Sequence, residues 1–130
     1  MNQLPNQSTW KNTFRFAWAG LIYLLRTQRN ARIHVVAAFA ACGLGWYVRL
    51  PGTQWAILVL TITIVFILEG INTAIEATVD LASPQIHPLA KTAKDVCAAM
   101  VLVAAFTAVL VGLLLFLPPM MARFHAAASR

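Results

Sequence analysis

Residues 69–80 read EGINTAIEATVD, and their polar members recur at spacings that chemistry could use. An α-helix advances about 100° per residue, so with Glu69 at zero Asn72 lies near roughly −60°, Thr73 near +40°, Glu76 near −20° and Asp80 near +20°. All five share one stripe, while Ile71, Ala74, Ile75, Ala77 and Val79 occupy the other faces. The sequence has four acidic residues; three lie in this stripe and the fourth, Asp95, follows soon after. Immediately upstream is WAILVLTITIVFIL, so the stripe enters an apolar helix from one end. Glu69 is its deepest member, roughly 10 Å inside Glu76 at about 1.5 Å per residue. An acid in hydrocarbon costs at least about 2.5 kcal/mol. A carboxylate kept there serves either as a general base or as a hydrogen-bonding partner between helices. Glu76 and Asp80 reach the level of water. Two such acids can hold a hard cation such as Mg²⁺ through oxygen, or they can end the helix in solvent, paired with Lys94 or an arginine.

The segment HPLAKTAKD, 87–95, supplies the opposite charge. Lys94 can hold a phosphate as a point charge. His87, between two turn signals, can do the same or pack on a purine. Lys91 reads as part of the basic flank of a membrane segment, and Asp95 either caps the next helix or holds a ligand. No GxxxxGK[ST] or GxGxxG occurs, so phosphate chemistry here uses neither a P-loop nor a kinase-type glycine loop. There is no HExxH and no Cys/His cluster of the kind that binds zinc. Cys42 and Cys97 lie in apolar stretches and read as small buried hydrophobes.

These groups need elements to position them, and the composition says in what solvent. Of 130 residues 60% are hydrophobic and only 11% charged, with a mean hydropathy of +0.72. Soluble domains carry about 25% charged residues. The chain is therefore expected to be an all-α integral membrane protein, a single membrane domain over 1–130. An amphipathic helix over 8–28, capped by Ser8 or Thr9, places Trp10, Phe14, Trp18 and Leu21 on one stripe beside Lys11 and Arg15, which suits a helix lying in the interface. A basic elbow, RTQRNARIH, follows at 26–34. Spans are expected at 33–50, 55–76 and 96–117, each near the 20 apolar residues that a bilayer requires. PGTQ at 51–54 reads as the turn between the first two, and Pro118–Pro119 as the stop of the third. No small-residue cleavage site follows a short apolar core near the start, so the apolar segments are expected to persist.

The net charge is +6, which in this setting points to the anionic face of a membrane rather than to nucleic acid. Three spans put Lys11, Arg15, Arg26, Arg29, Arg32, Lys91 and Lys94 on one side and Arg49, Arg123 and Arg130 on the other. The richer side faces the cytoplasm by the positive-inside rule, so a multi-pass protein with a cytoplasmic N-terminus is expected. Trp46, Tyr47 and Trp55 flank the outer turn as an aromatic belt. Three helices enclose a polar site poorly, and the Ala/Gly-rich first span suits close packing between copies, so a homo-oligomer is expected. The residues alone suggest a deep carboxylate base, an interfacial cation-binding acid and basic phosphate partners, a set that fits phosphoryl transfer to a lipid hydroxyl. The rival is a small oligomeric proton-coupled transporter or channel, although the acids cluster at one face rather than the midplane.

The block E-x-x-N-T-A-I-E-x-x-V-D at 69–80, followed by HPLAKTAKD, resembles the prokaryotic diacylglycerol kinase family over most of the chain. The resemblance implies a homotrimer with sites shared between neighbouring protomers in the bacterial inner membrane. It also implies ATP as co-substrate, Mg²⁺, and phosphorylation of a lipid alcohol. By motif, Glu69 matches the catalytic base and Asn72 the polar residue that supports it. Glu76 matches a carboxylate linked to metal and ATP. Gln85, Ile86, His87, Lys94 and Asp95 match the nucleotide-contacting segment. Gln28 stands where the family usually has a second metal-linked Glu; its amide offers an oxygen without the charge. RNARIH and the VDL…HPLAK.AKD pattern resemble the undecaprenol kinase branch more closely than the diacylglycerol branch, which makes undecaprenol the expected acceptor and diacylglycerol the alternative.

Overall fold

The computed structural model describes residues 10–83 and 87–129. Four helices account for nearly all of them: α1 (Trp10–Thr27), α2 (Arg29–Val48), α3 (Gly52–Ala82) and α4 (Pro88–Ala128). The last three are long and apolar enough to cross a membrane. The expected capping residues Ser8 and Thr9 lie outside the described residues.

Several helix ends differ from the sequence expectation. The basic elbow is mostly helical: α1 and α2 are separated by Gln28 alone, whose backbone is extended (φ −99°, ψ 117°). The Gln28 N–H still donates to Leu24 O at 2.9 Å, so α1 closes its last rung before the chain turns. Helix α3 continues six residues past 76, and α4 begins at Pro88, well before 96. Hydropathy locates the stretch that lipid can cover, whereas the backbone goes on as helix for as long as its hydrogen bonds close. Asp95 is consequently inside α4 and caps nothing; that place belongs to His87, whose Nδ1 accepts from Leu89 N at 3.2 Å ahead of Pro88. Pro118–Pro119 does not end α4 either, since the helix runs through both prolines to Ala128. Proline removes a rung but leaves φ helical. Here the turn before the pair is held by burial of Leu115 and Phe116, and the turn after it is held by Arg123, whose guanidinium lies 4.9 Å over the Tyr47 ring.

The α2–α3 connection is tighter than PGTQ suggested. Arg49 adopts the left-handed conformation (φ 59°, ψ 56°). Its N–H donates to Trp46 O and that of Leu50 to Gly45 O, the paired bonds of a Schellman stop. Pro51 then precedes α3, which starts at Gly52. Gly45 is required by packing: a Cβ there would meet Leu50 Cδ1 at 3.1 Å and the Trp55 ring at 3.2 Å. This end of the molecule carries the apolar core, in which Val48, Leu50, Leu58, Leu115 and Phe116 are buried, with Leu44, Trp55 and Ile62 packed against them. Elsewhere many apolar side chains of the three long helices point outward, among them Phe39, Ile64, Ile67, Phe106 and Leu114. Lipid tails or neighbouring apolar helices can cover such surface without a solvation penalty. In α1 only Leu24 is buried, and Trp10, Phe14, Trp18 and Leu21 are all exposed.

Candidate functional site

At the opposite end from the core, α2, α3 and α4 part around a cavity of about 600 Å³. Because α3 runs antiparallel to its neighbours, depth can be followed along all three helices at once. The outer level is polar: Gln28 just ahead of α2, Asn30 from its first turn, Glu76 from α3 and Asp95 from α4. Further in lie His34 and Glu69, with Ile33, Val101, Leu102 and Ala105 closing the apolar inner end. The two levels are about 10 Å apart along α3 and α4 at 1.5 Å per residue.

The stripe expected on one face of a helix is present, and its burial is graded. Glu69 is 1% exposed, Asn72 8% and Thr73 7%; Glu76 is half-buried and Asp80 exposed. Thr73 Oγ1 donates to Glu69 O at 2.9 Å, which occupies its hydroxyl within the helix. The Asn72 amide donates to Glu76 Oε1 at 3.2 Å, one turn outward, rather than to Glu69. Among the described residues two buried side-chain oxygens have no hydrogen-bond partner, Glu69 Oε2 and Asn72 Oδ1. Both are acceptors. Leaving such groups unsatisfied costs about 1–3 kcal/mol each, so a donor that enters the cavity gains from meeting them.

Charge pairing occurs at the mouth. Lys94 donates to Asp80, joining α4 to α3, and Lys91 donates to Asp95 one turn along α4. These pairs are largely exposed, and surface ion pairs are worth at most about 1 kcal/mol. A multiply charged anion can therefore take Lys94 from Asp80 at little cost. Of the residues singled out from sequence, Gln28, Glu69, Asn72, Glu76 and Asp95 meet around this one cavity. Lys94 and His87 stand outside its lining, and Gln85 and Ile86 fall outside the described residues. Gln28 makes no capping bond to α2 with its side chain, which leaves its amide for the cavity. The sequence reading passed over Asn30 and His34. Their i, i+4 spacing puts them on one side of α2 among arginines, and nothing in that spacing shows that this side meets Glu69.

The oxygen-rich donor set suits a hard cation. Among the described residues no three His, Cys, Asp or Glu side chains lie close enough to cage a metal ion by themselves. The residues present thus fit a divalent ion that arrives with phosphate ligands of its own, held by one or two carboxylates.

Three helices long and apolar enough to cross a membrane, with a carboxylate-lined cavity at one end, fit a multi-pass membrane protein. The model of the family described as prokaryotic diacylglycerol kinase matches residues 15–116. The chain belongs to that family. It is 47% identical over 110 residues to a diacylglycerol kinase of Synechocystis, covering 84% of this chain and 63% of the relative's length. It is 45% identical over 106 residues to the undecaprenol kinase of Bacillus subtilis, covering 82% and 86%. To the diacylglycerol kinase of Escherichia coli it is 30% identical over 95 residues, covering 73% and 78%.

Proposed function

We propose that the chain is an ATP-dependent lipid kinase that transfers the γ-phosphate of ATP to the hydroxyl of undecaprenol. One observation carries the reading: a carboxylate that is 1% exposed, with Oε2 unpartnered, stands at the inner level of a cavity whose outer level is polar. A water-soluble phosphate donor and a lipid alcohol would meet along that gradient. Membership of a kinase family supports the same reading and leaves the transporter alternative without support.

In this reading Glu69 accepts the proton of the acceptor hydroxyl as its oxygen attacks the γ-phosphorus. The bond from that phosphorus to the bridging oxygen breaks, and ADP leaves with the negative charge. Asn72 fixes Glu76 through the hydrogen bond its amide already donates to Glu76 Oε1. Lys94, released from Asp80, meets the phosphates, while His87, Gln85, Ile86 and Asp95 contact the nucleotide. Mg²⁺, when bound with ATP, supplies charge neutralisation at the phosphates, and Glu76 and Gln28 are the residues that would hold it. The protein's share of the catalysis is chiefly positioning and electrostatics.

The rest of the assignment follows the same residues. Helix α1 lies in the cytoplasmic interface, a placement supported by its exposed Trp10, Phe14 and Trp18 beside Lys11 and Arg15. The N-terminus and the α3–α4 connection are cytoplasmic, in a bacterial inner membrane. The unit is a homotrimer, supported by the outward apolar faces of α2, α3 and α4. Undecaprenol is favoured by the named acceptor of the B. subtilis relative, which this chain covers over 86% of its length. The Synechocystis relative is the specific reason to hold diacylglycerol as the second acceptor. The test offers both alcohols in competition to the purified protein with Mg·ATP. Preferential phosphorylation of undecaprenol is expected; preference for diacylglycerol reverses the assignment of acceptor.

A further inference from the structure

Two polar side chains that line the cavity, Asn30 and His34, take no part in the transfer described above, and of these His34 lies at the inner level. Among the described residues His34 is the only lining side chain with a ring that can both donate and accept a hydrogen bond, and the only one able to carry positive charge; Glu69, Glu76 and Asp95 are all acids, and Gln28, Asn30 and Asn72 are amides. Its level can be fixed from the helices. Six residues separate His34 from Gln28 on α2, and seven separate Glu69 from Glu76 on the antiparallel α3, so both steps run inward by roughly 9–10 Å. His34 therefore shares the inner level with Glu69, next to Ile33 and opposite Val101 and Leu102. The oxygens orphaned there, Glu69 Oε2 and Asn72 Oδ1, are both acceptors. An alcohol arriving at this level can satisfy one of them with its single proton. Its own oxygen still needs a donor to fix the lone pair that attacks, and His34 is the ring N–H at that depth.

We propose that His34 is a specificity-determining residue for the acceptor: its ring N–H holds the oxygen of the lipid hydroxyl while Glu69 receives the proton. This rests on the lipid-kinase reading. It separates the two substrates by level, with ATP meeting the outer groups and the lipid alcohol meeting His34 and Glu69. The expected signature is a change confined to the lipid. His34→Ala lowers kcat/KM for the lipid alcohol about tenfold or more, the loss of one hydrogen bond to a reacting group, while the KM for ATP moves by less than about twofold. His34→Gln, which keeps an N–H donor, returns kcat/KM to within about threefold of the parent protein. Should His34→Ala fail to assemble, His34→Leu keeps the bulk, removes the donor and takes its place in the same comparison. Thermal stability in detergent is followed for each variant. The proposal is overturned if lipid kcat/KM is unchanged, if the lipid and ATP parameters fall together with a loss of thermal stability, or if Gln performs no better than Ala. A parent protein that phosphorylates no lipid alcohol overturns the kinase reading and this inference with it; a working parent with any of the former results overturns this inference alone.

Discussion

Glu69→Gln is the substitution that separates a catalytic carboxylate from a structural one. The change is nearly isosteric and replaces one oxygen by an amide nitrogen at a side chain that is 1% exposed. Its Oε2 has no hydrogen-bond partner, so no bond of the folded protein is broken there. The Thr73 hydroxyl donates to the Glu69 backbone carbonyl, which the substitution leaves in place. Removing an acid from hydrocarbon relieves a cost of about 2.5 kcal/mol or more. Insertion and assembly should therefore be preserved, with thermal stability in detergent equal to or above that of the parent. Activity should behave in the opposite way. An amide cannot accept the hydroxyl proton, and loss of a general base costs about 10²–10⁴-fold in rate. The assay is transfer of labelled γ-phosphate from ATP to lipid at saturating ATP, read beside a melting curve of the same preparation. Retention of more than about a tenth of parental turnover would refute the role, because a base contributes at least about a hundredfold. Lost activity accompanied by lost stability would make Glu69 an interhelical hydrogen-bonding residue instead.

Two further outcomes follow from the same arrangement. Gln28 lines the cavity with Glu76, and Mg²⁺ favours charged oxygen, so Gln28→Glu should lower the Mg²⁺ concentration for half-maximal activity and Gln28→Ala should raise it; three superimposable titrations would remove Gln28 from the metal. Single cysteines at Gly52 and Leu89, both exposed, in a background lacking Cys42 and Cys97, should react with membrane-impermeant reagents only from outside and only from the cytoplasmic side, respectively; the reverse pattern would put the basic end of the site on the wrong face.

Much of this was legible because it depends on periodicity. The polar stripe from Glu69 to Asp80 follows from 100° per residue, and its graded burial follows from the direction in which the apolar run precedes it. The long apolar helices were visible from hydropathy. Helix ends were not, because hydropathy stops where lipid stops while hydrogen bonding continues: Arg29–Arg32 and Pro88–Lys94 are helical although polar, and α4 passes through Pro118–Pro119 because Phe116 and Arg123 are anchored on either side. The Lys94–Asp80 pair spans fourteen residues, and only the packing of α3 against α4 shows that it forms. His34 was hidden for a different reason. Its chemistry depends on the depth it shares with Glu69 on another helix, and no spacing within one helix carries that information.

On the proposed mechanism this cavity couples the consumption of ATP to the phosphorylation of a lipid alcohol. The most direct measurement follows ADP and lipid phosphate in the same sample of purified protein, with Mg·ATP and undecaprenol or diacylglycerol in detergent. Equal amounts of the two products are expected with the preferred alcohol, and only a trace of ADP when lipid is omitted, because Glu69, buried at the inner level, then has no hydroxyl to activate. ADP formed without lipid phosphate would contradict the mechanism, as would the absence of both products in a folded, assembled preparation.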